Sequence, residues 1–174
     1  VNTAFLELVK TETHRGLEGR ALAGYHTGGA CYGYTSIPEE NPQDPEHPRM
    51  LVRVDQEQAK VVRRIFHLYA EGIGLRAIAE ALNAEQVHAP QDGSSKKRAG
   101  RGWSKSQLHF MLRNERYVGR TVWNKREWIK VDGKRRPRPR PESEWKVRDE
   151  PALAIIDAAT WAKVQERNKA NAKG

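Results

Sequence analysis

Ser106, His109, Phe110 and Arg113 are spaced at i, i+3, i+4 and i+7, so any helix that carries them lines them up on one face. A hydroxyl, an imidazole, an aromatic ring and a guanidinium in that order suit the exposed edges of base pairs. The hydroxyl donates or accepts, the imidazole N–H donates to purine N7 or O6, the guanidinium bridges guanine, and the ring lies against a thymine methyl. Each has a plainer competing role: Phe110 would pack against the strand that follows, and Arg113 would hold a phosphate near the helix end. Lys105 opens the same segment. Upstream stand Lys96, Lys97, Arg98 and Arg101, and downstream Lys134, Arg135 and Arg136. Such clusters neutralise phosphates, which gives affinity without sequence information.

These side chains need a frame. Ser104 is a favourable N-cap and Gln107, three residues on, completes a capping box. Leu108, Met111 and Leu112 form the apolar back of the helix expected over 104–113. Upstream, Asp55 with Gln58 forms a capping-box-like pair at the start of the strongest helix in the chain, and Ala59, Val62, Ile65, Phe66 and Tyr69 make its apolar face. Lys60, Arg63, Arg64 and His67 occupy its other side, as a solvated face or as phosphate contacts. Gly72 and Gly74 separate it from a shorter helix with Leu75, Ile78, Ala79 and Leu82 inward, ending near Asn83 or Ala84. Three such helices make a trihelical core of helix-turn-helix type. The polar insert Gln86 to Arg101 before the third is longer than a tight turn.

The flanks mix helix and strand. Residues 1–22 read as helix, with Ala4, Phe5, Leu8 and Val9 as a short apolar stripe ahead of a charged run. Gly24 to Gly33 is too glycine-rich for regular helix; Arg20 and His26 around it suit an arm in a minor groove, or the stretch is only a linker. Short strands are expected at Tyr32–Ser36 and Leu51–Val54, with a proline-rich loop between them. Tyr117 to Val131 alternates as strand, Asp132-Gly133 suits a hairpin turn, and KRRPRPRP reads as an extended basic loop unable to fold alone. Trp145–Arg148 suits a returning strand, and Asp157 or Thr160 caps a last helix with Trp161 and Val164 inward. The fold class is α+β, mainly helical, with short β-hairpins around a helix-turn-helix-like core.

Composition narrows the function. Among 174 residues, 31 Lys+Arg against 22 Asp+Glu leave a net charge of +9 and a pI near 9.8, which points to a polyanionic partner. The single cysteine, Cys31, excludes an internal disulfide and a multi-cysteine zinc site, and the six histidines are scattered, so no metal or other cofactor is expected. No glycine-rich loop has phosphate-binding spacing, and the serines fall where capping and turn chemistry explain them. The chain is therefore expected to bind rather than catalyse. No run approaches the roughly 20 apolar residues of a membrane span and no signal peptide opens the chain, so a cytoplasmic setting without membrane contact is expected.

Assembled in order, RGLEGRALAGYHTGGACYGY, DQEQAKVVRRIFHLYAEGIGLRAIAEALN, GWSKSQLHFMLRNERYVG and PALAIIDAATWAKVQ resemble the recombinase domain of large serine recombinases, the serine integrases of phages and mobile elements. The resemblance implies double-stranded DNA at an attachment half-site as partner, other recombinase subunits in the longer protein, and a nucleoid-associated location. It implies that residues 1–24 are the end of a long connecting helix and the start of a linker, 25–117 the recombinase domain, and 118–174 the start of a second DNA-binding module. Neither the resolvase-like domain with its nucleophilic serine nor the zinc ribbon of that family is matched here. The expectation is thus a piece of a DNA-cleaving parent that binds without cutting and, lacking a long heptad seam, is monomeric. The rival readings are a protein-interaction module with a basic face for an acidic partner or recombinase subunit, and an RNA-binding domain.

Overall fold

The computed structural model describes residues 3–25, 29, 31–42, 44–46, 48–90, 92 and 100–172. In chain order its elements are α1 (Thr3–Leu22), β1 (Tyr34–Glu39), β2 (Arg49–Val54), α2 (Gln56–Ala70), α3 (Leu75–Ala84), α4 (Lys105–Met111), β3 (Arg120–Trp123), β4 (Arg126–Val131), β5 (Lys134–Pro139), β6 (Lys146–Asp149) and α5 (Ala158–Asn171). The architecture is α+β. Strands pair two by two, β1 with β2, β3 with β6 and β4 with β5. The chain divides into two compact units, each built from discontinuous segments: one from 1–29, 36–53 and 120–150, the other from 30–35, 54–119 and 151–174.

In the helical unit, α2 buries Ala59, Val62, Ile65, Phe66 and Tyr69, the whole apolar stripe read from sequence. Asp55 caps it, accepting from the Gln58 N–H at 3.0 Å. The reciprocal half of the expected capping box is absent, because the Asp55 N–H already donates to the Gly33 carbonyl at 3.0 Å. The Gln58 amide oxygen instead accepts from the Gly33 N–H at 2.8 Å, so the cap ties down the incoming segment. Gly33 has φ +96°, and a Cβ there would stand 2.9 Å from Ile155 Cδ1, so only glycine fits. The polar side of α2 is engaged within the chain: Lys60 with Glu57 at 2.7 Å, His67 with Glu71 at 3.1 Å, Arg64 with Glu85, and Arg63 donating to the Ile155 carbonyl at 3.2 Å. That pattern favours the solvated face over phosphate contact.

α3 packs against both α2 and α4, and α5 packs along α2. Arg167 of α5 lies over the Tyr69 ring, 4.2 Å from its centroid, and donates to the carbonyls of Tyr69, Gly72 and Ile73. It thereby adds donors at the C-terminal end of α2, where positive charge is favoured.

Over 117–139 the structure departs from expectation in three places, the first in the helical unit and the others in the second unit. Tyr117 is no strand residue; it sits buried in a 3-10 turn, Glu115–Val118, whose exit at Gly119 takes φ +76°. The expected continuous strand is broken again at Asn124, φ +65°, into β3 and β4. KRRPRPRP is likewise not a loop: Lys134 to Pro139 form β5, paired antiparallel to β4 through a turn at Asp132-Gly133 with φ of +51° and +74°. Prolines tolerate this because they fall at alternate positions, Pro137 opposite Trp128 and Pro139 opposite Arg126. The Arg140 N–H donates to the Lys125 carbonyl, and counting back in twos puts both prolines at sites whose nitrogens face away from β4. On α1, Phe5, Leu8 and Val9 are exposed.

Candidate nucleic-acid interface

The segment before α4 is shaped to deliver its cap. Gly102 holds φ +67°, and a Cβ there would meet Asn83 Oδ1 at 2.4 Å, so a side chain is excluded on both counts. Asn83, near the end of α3, grips the next residue as a strand neighbour would: its Oδ1 accepts from the Trp103 N–H at 2.7 Å and its Nδ2 donates to the Trp103 carbonyl at 2.9 Å. Trp103 is buried, its ring edge-on to Tyr32 at 5.0 Å and its indole N–H donating to the Val87 carbonyl at 2.9 Å. Ser104 follows with the full capping box: the Gln107 N–H donates to Ser104 Oγ at 3.4 Å and the Ser104 N–H to Gln107 Oε1 at 2.7 Å.

The helix is shorter than its sequence pattern, ending at Met111 with Leu112 as C-cap. Leu108, Met111 and Leu112 are buried, as expected of the apolar back. The Leu112 carbonyl accepts from Gln165 Nε2 at 2.8 Å and from Asn168 Nδ2 at 3.3 Å, both on α5. Asn168 is itself 5% exposed and takes the Tyr69 hydroxyl proton on Oδ1 at 3.0 Å, so one buried amide joins α2, α4 and α5. Both ends of α4 are therefore fixed by side chains of other helices, which holds its front in a defined orientation.

That front consists of Lys105, Ser106, His109, Phe110 and Arg113, all exposed. Phe110 is 71% exposed, its ring edge-to-face with that of His109 at 5.6 Å between centroids, and not buried as the expected packing on the next strand would require. Arg113 lies beyond the helix, its Nη1 donating to the His109 carbonyl at 3.1 Å. Arg101 is exposed on the approach to the cap. The structure thus brings six of the expected contact residues together on and beside α4. Arg20 is exposed in the last turn of α1, and Lys134, Arg135 and Arg136 are exposed on β5, in the other unit. His26, Lys96, Lys97 and Arg98 lie outside the described residues.

Sequence reasoning passed over Asn83, Trp103 and Asn168, which position α4, and Arg126, Trp128 and Lys130, which share the hairpin with the basic run. Only Trp103 carried a legible signal, a large apolar residue just before an N-cap. The amides act through partners 20 or more residues away, and no local pattern marks them. Among the described residues no cluster of His, Cys, Asp and Glu could hold a metal ion, and no helix is long and apolar enough to cross a membrane.

The family model described as Recombinase matches residues 56–171, from the start of α2 to the end of α5. A solved structure described as the crystal structure of an LSR–DNA complex, a large serine recombinase, shares the fold with a TM-score of 0.55 at 16% identity over 91% of this chain. The chain spans 38% of the length of that relative. Comparison with curated proteins gives no match.

Proposed function

The chain belongs to the Recombinase family of large serine recombinases, and from that premise we propose that it binds double-stranded DNA sequence-specifically, placing α4 in the major groove of an attachment half-site. The observation that carries this reading is the front of α4: five polar, aromatic and basic side chains left exposed, four on the helix and Arg113 just beyond it, while its back and both ends are locked. Ser106, His109 and Arg113 read base edges, Phe110 meets a thymine methyl, and Lys105 and Arg101 hold phosphates beside them. Lys96, Lys97 and Arg98 extend that charge along the backbone, as do Lys134, Arg135 and Arg136. Arg20 and His26 flank the glycine-rich linker and reach a minor groove.

In this reading the sequence segments are functional divisions: 1–24 connects, 25–117 carries the reading helix, and 118–174 adds a second DNA-contacting surface. Strand cleavage and rejoining belong to the recombinase as a whole, with its other subunits; these residues supply recognition, and alone they act as a monomer.

Selection of bound duplexes from a randomised pool at roughly physiological salt tests the proposal, because nonspecific binding is weak there. One enriched consensus is expected. Arg113→Ala should relax preference at a single base position by about 1–3 kcal/mol while leaving the others unchanged. Binding without any consensus would remove base reading from α4, and binding no tighter than to any polyanion would favour an acidic protein partner.

A further inference from the structure

The β4–β5 hairpin has two chemically different faces. In an antiparallel pair, residues opposite one another project to the same side, so the register sorts the side chains. Glu127, Ile129 and Val131 fall on one side with Lys134, Arg136 and Arg138; Arg126, Trp128 and Lys130 fall on the other with Arg135, Pro137 and Pro139. On the first side the β4 residues are half-buried and the acid is spent inside the hairpin, with Arg138 Nε donating to Glu127 Oε1 at 2.7 Å and Arg140 3.4 Å from Oε2. The second side has three cations and no acid. All of its residues are exposed, and among the described residues no carboxylate lies within ion-pair distance of Arg126, Lys130 or Arg135. In its middle stands Trp128, 61% exposed, with the Arg135 guanidinium 5.8 Å from its ring centroid.

We infer that this acid-free face, Arg126, Trp128, Lys130 and Arg135, is a second DNA-contacting surface that grips the backbone of the same duplex without reading its sequence. The inference rests on the duplex-binding reading above and gives the larger share of the hairpin's backbone contact to one side of the strand. Three cations spaced along a two-stranded ribbon, with no carboxylate to compete, match the repeating charge of a phosphate backbone. A tryptophan left in water among them has an apolar ring to cover, and the flat face of a deoxyribose covers it while the cations take the adjoining phosphates. Rigid pairing and the two prolines keep the ribbon extended, so little ordering is required on contact.

The test compares the two faces on the whole chain, by duplex affinity as a function of salt on the selected consensus and on an unrelated duplex. Lys130→Ala with Arg135→Ala should flatten the salt slope by about two, close to one for each lost phosphate contact, equally on both duplexes. Trp128→Ala should weaken both duplexes alike with the slope unchanged, since a neutral side chain releases no counterions, and Trp128→Phe should restore binding. Lys134→Ala with Arg136→Ala removes the same charge from the other side, where the backbone contact is the weaker, and should flatten the slope markedly less than the first pair does. Equal slope changes from both double variants, or native binding by Trp128→Ala, would overturn the face assignment. Unchanged duplex binding by all of them would mean that the hairpin serves an acidic protein surface or nothing. Loss of consensus selection with these slopes as expected would instead strike only the base-reading role of α4.

Discussion

Asn83 does at the residue scale what a strand does at the element scale: one side-chain amide satisfies both the N–H and the carbonyl of Trp103. Trp103 in turn sits immediately before Ser104, so the amide sets where the capped helix begins. Asn83→Ala should cost about 1–3 kcal/mol, because two buried backbone groups lose their partners together. It should also weaken duplex binding, although Asn83 itself touches no DNA in the proposed mode. Denaturant unfolding measures the first effect and affinity for the selected duplex the second; unchanged affinity with lost stability would show that α4 keeps its orientation without the amide. Nothing in the sequence around Asn83 marks it, since the same residue at a helix end is ordinarily read as a stop signal.

Elements formed where local chemistry and tertiary demand agree. The apolar stripe of α2 and the capping box of α4 were legible because each depends on residues three or four apart. The end of α4 was not: the pattern runs on to Arg113, but α5 takes the Leu112 carbonyl and the chain leaves the helix there. Asn168 is the centre of that arrangement, bonded to the Tyr69 hydroxyl and to Leu112. Asn168→Leu is branched alike but leaves the Tyr69 hydroxyl without its acceptor and the Leu112 carbonyl with Gln165 alone, so we expect a loss of about 1–3 kcal/mol in unfolding free energy, read as a lower denaturant midpoint at constant slope. No change would mean that water enters and replaces the amide. The basic hairpin is the opposite case: KRRPRPRP has no strand propensity of its own, and β4 imposes the extended conformation by offering a ladder that the prolines do not interrupt.

For the molecule as a whole, the stability of the helical unit is tied to a cluster of groups that must stay protonated. Burial pushes the Cys31 thiol up; burial, with Asp55 and Asp92 nearby, pushes Tyr32 up to about 12; burial, with Cys31 beside it, raises Tyr117 furthest. Each is neutral when protonated and holds its proton more tightly folded than unfolded, so the stability it contributes is complete below its ordinary value and is lost as pH rises past it. Those ordinary values are 9.0 for the thiol and 10.0 for the phenols, so the melting temperature should fall above about pH 9. Tyr117→Phe, which removes the Tyr117 hydroxyl bond to the Tyr32 carbonyl, should lower stability at neutral pH and shallow the alkaline decline. A melting temperature flat to pH 11 would contradict this. The sequence by itself determined the basic charge balance, the family resemblance, the helical core face and the cap of α4, because these follow from composition and from patterns a few residues long. Only the tertiary structure decided where α4 stops, that α5 closes over α2, which amides anchor α4, and which side of the basic hairpin is free of acid. Each of those depends on backbone donors and acceptors brought together from distant parts of the chain, and no local spacing records them.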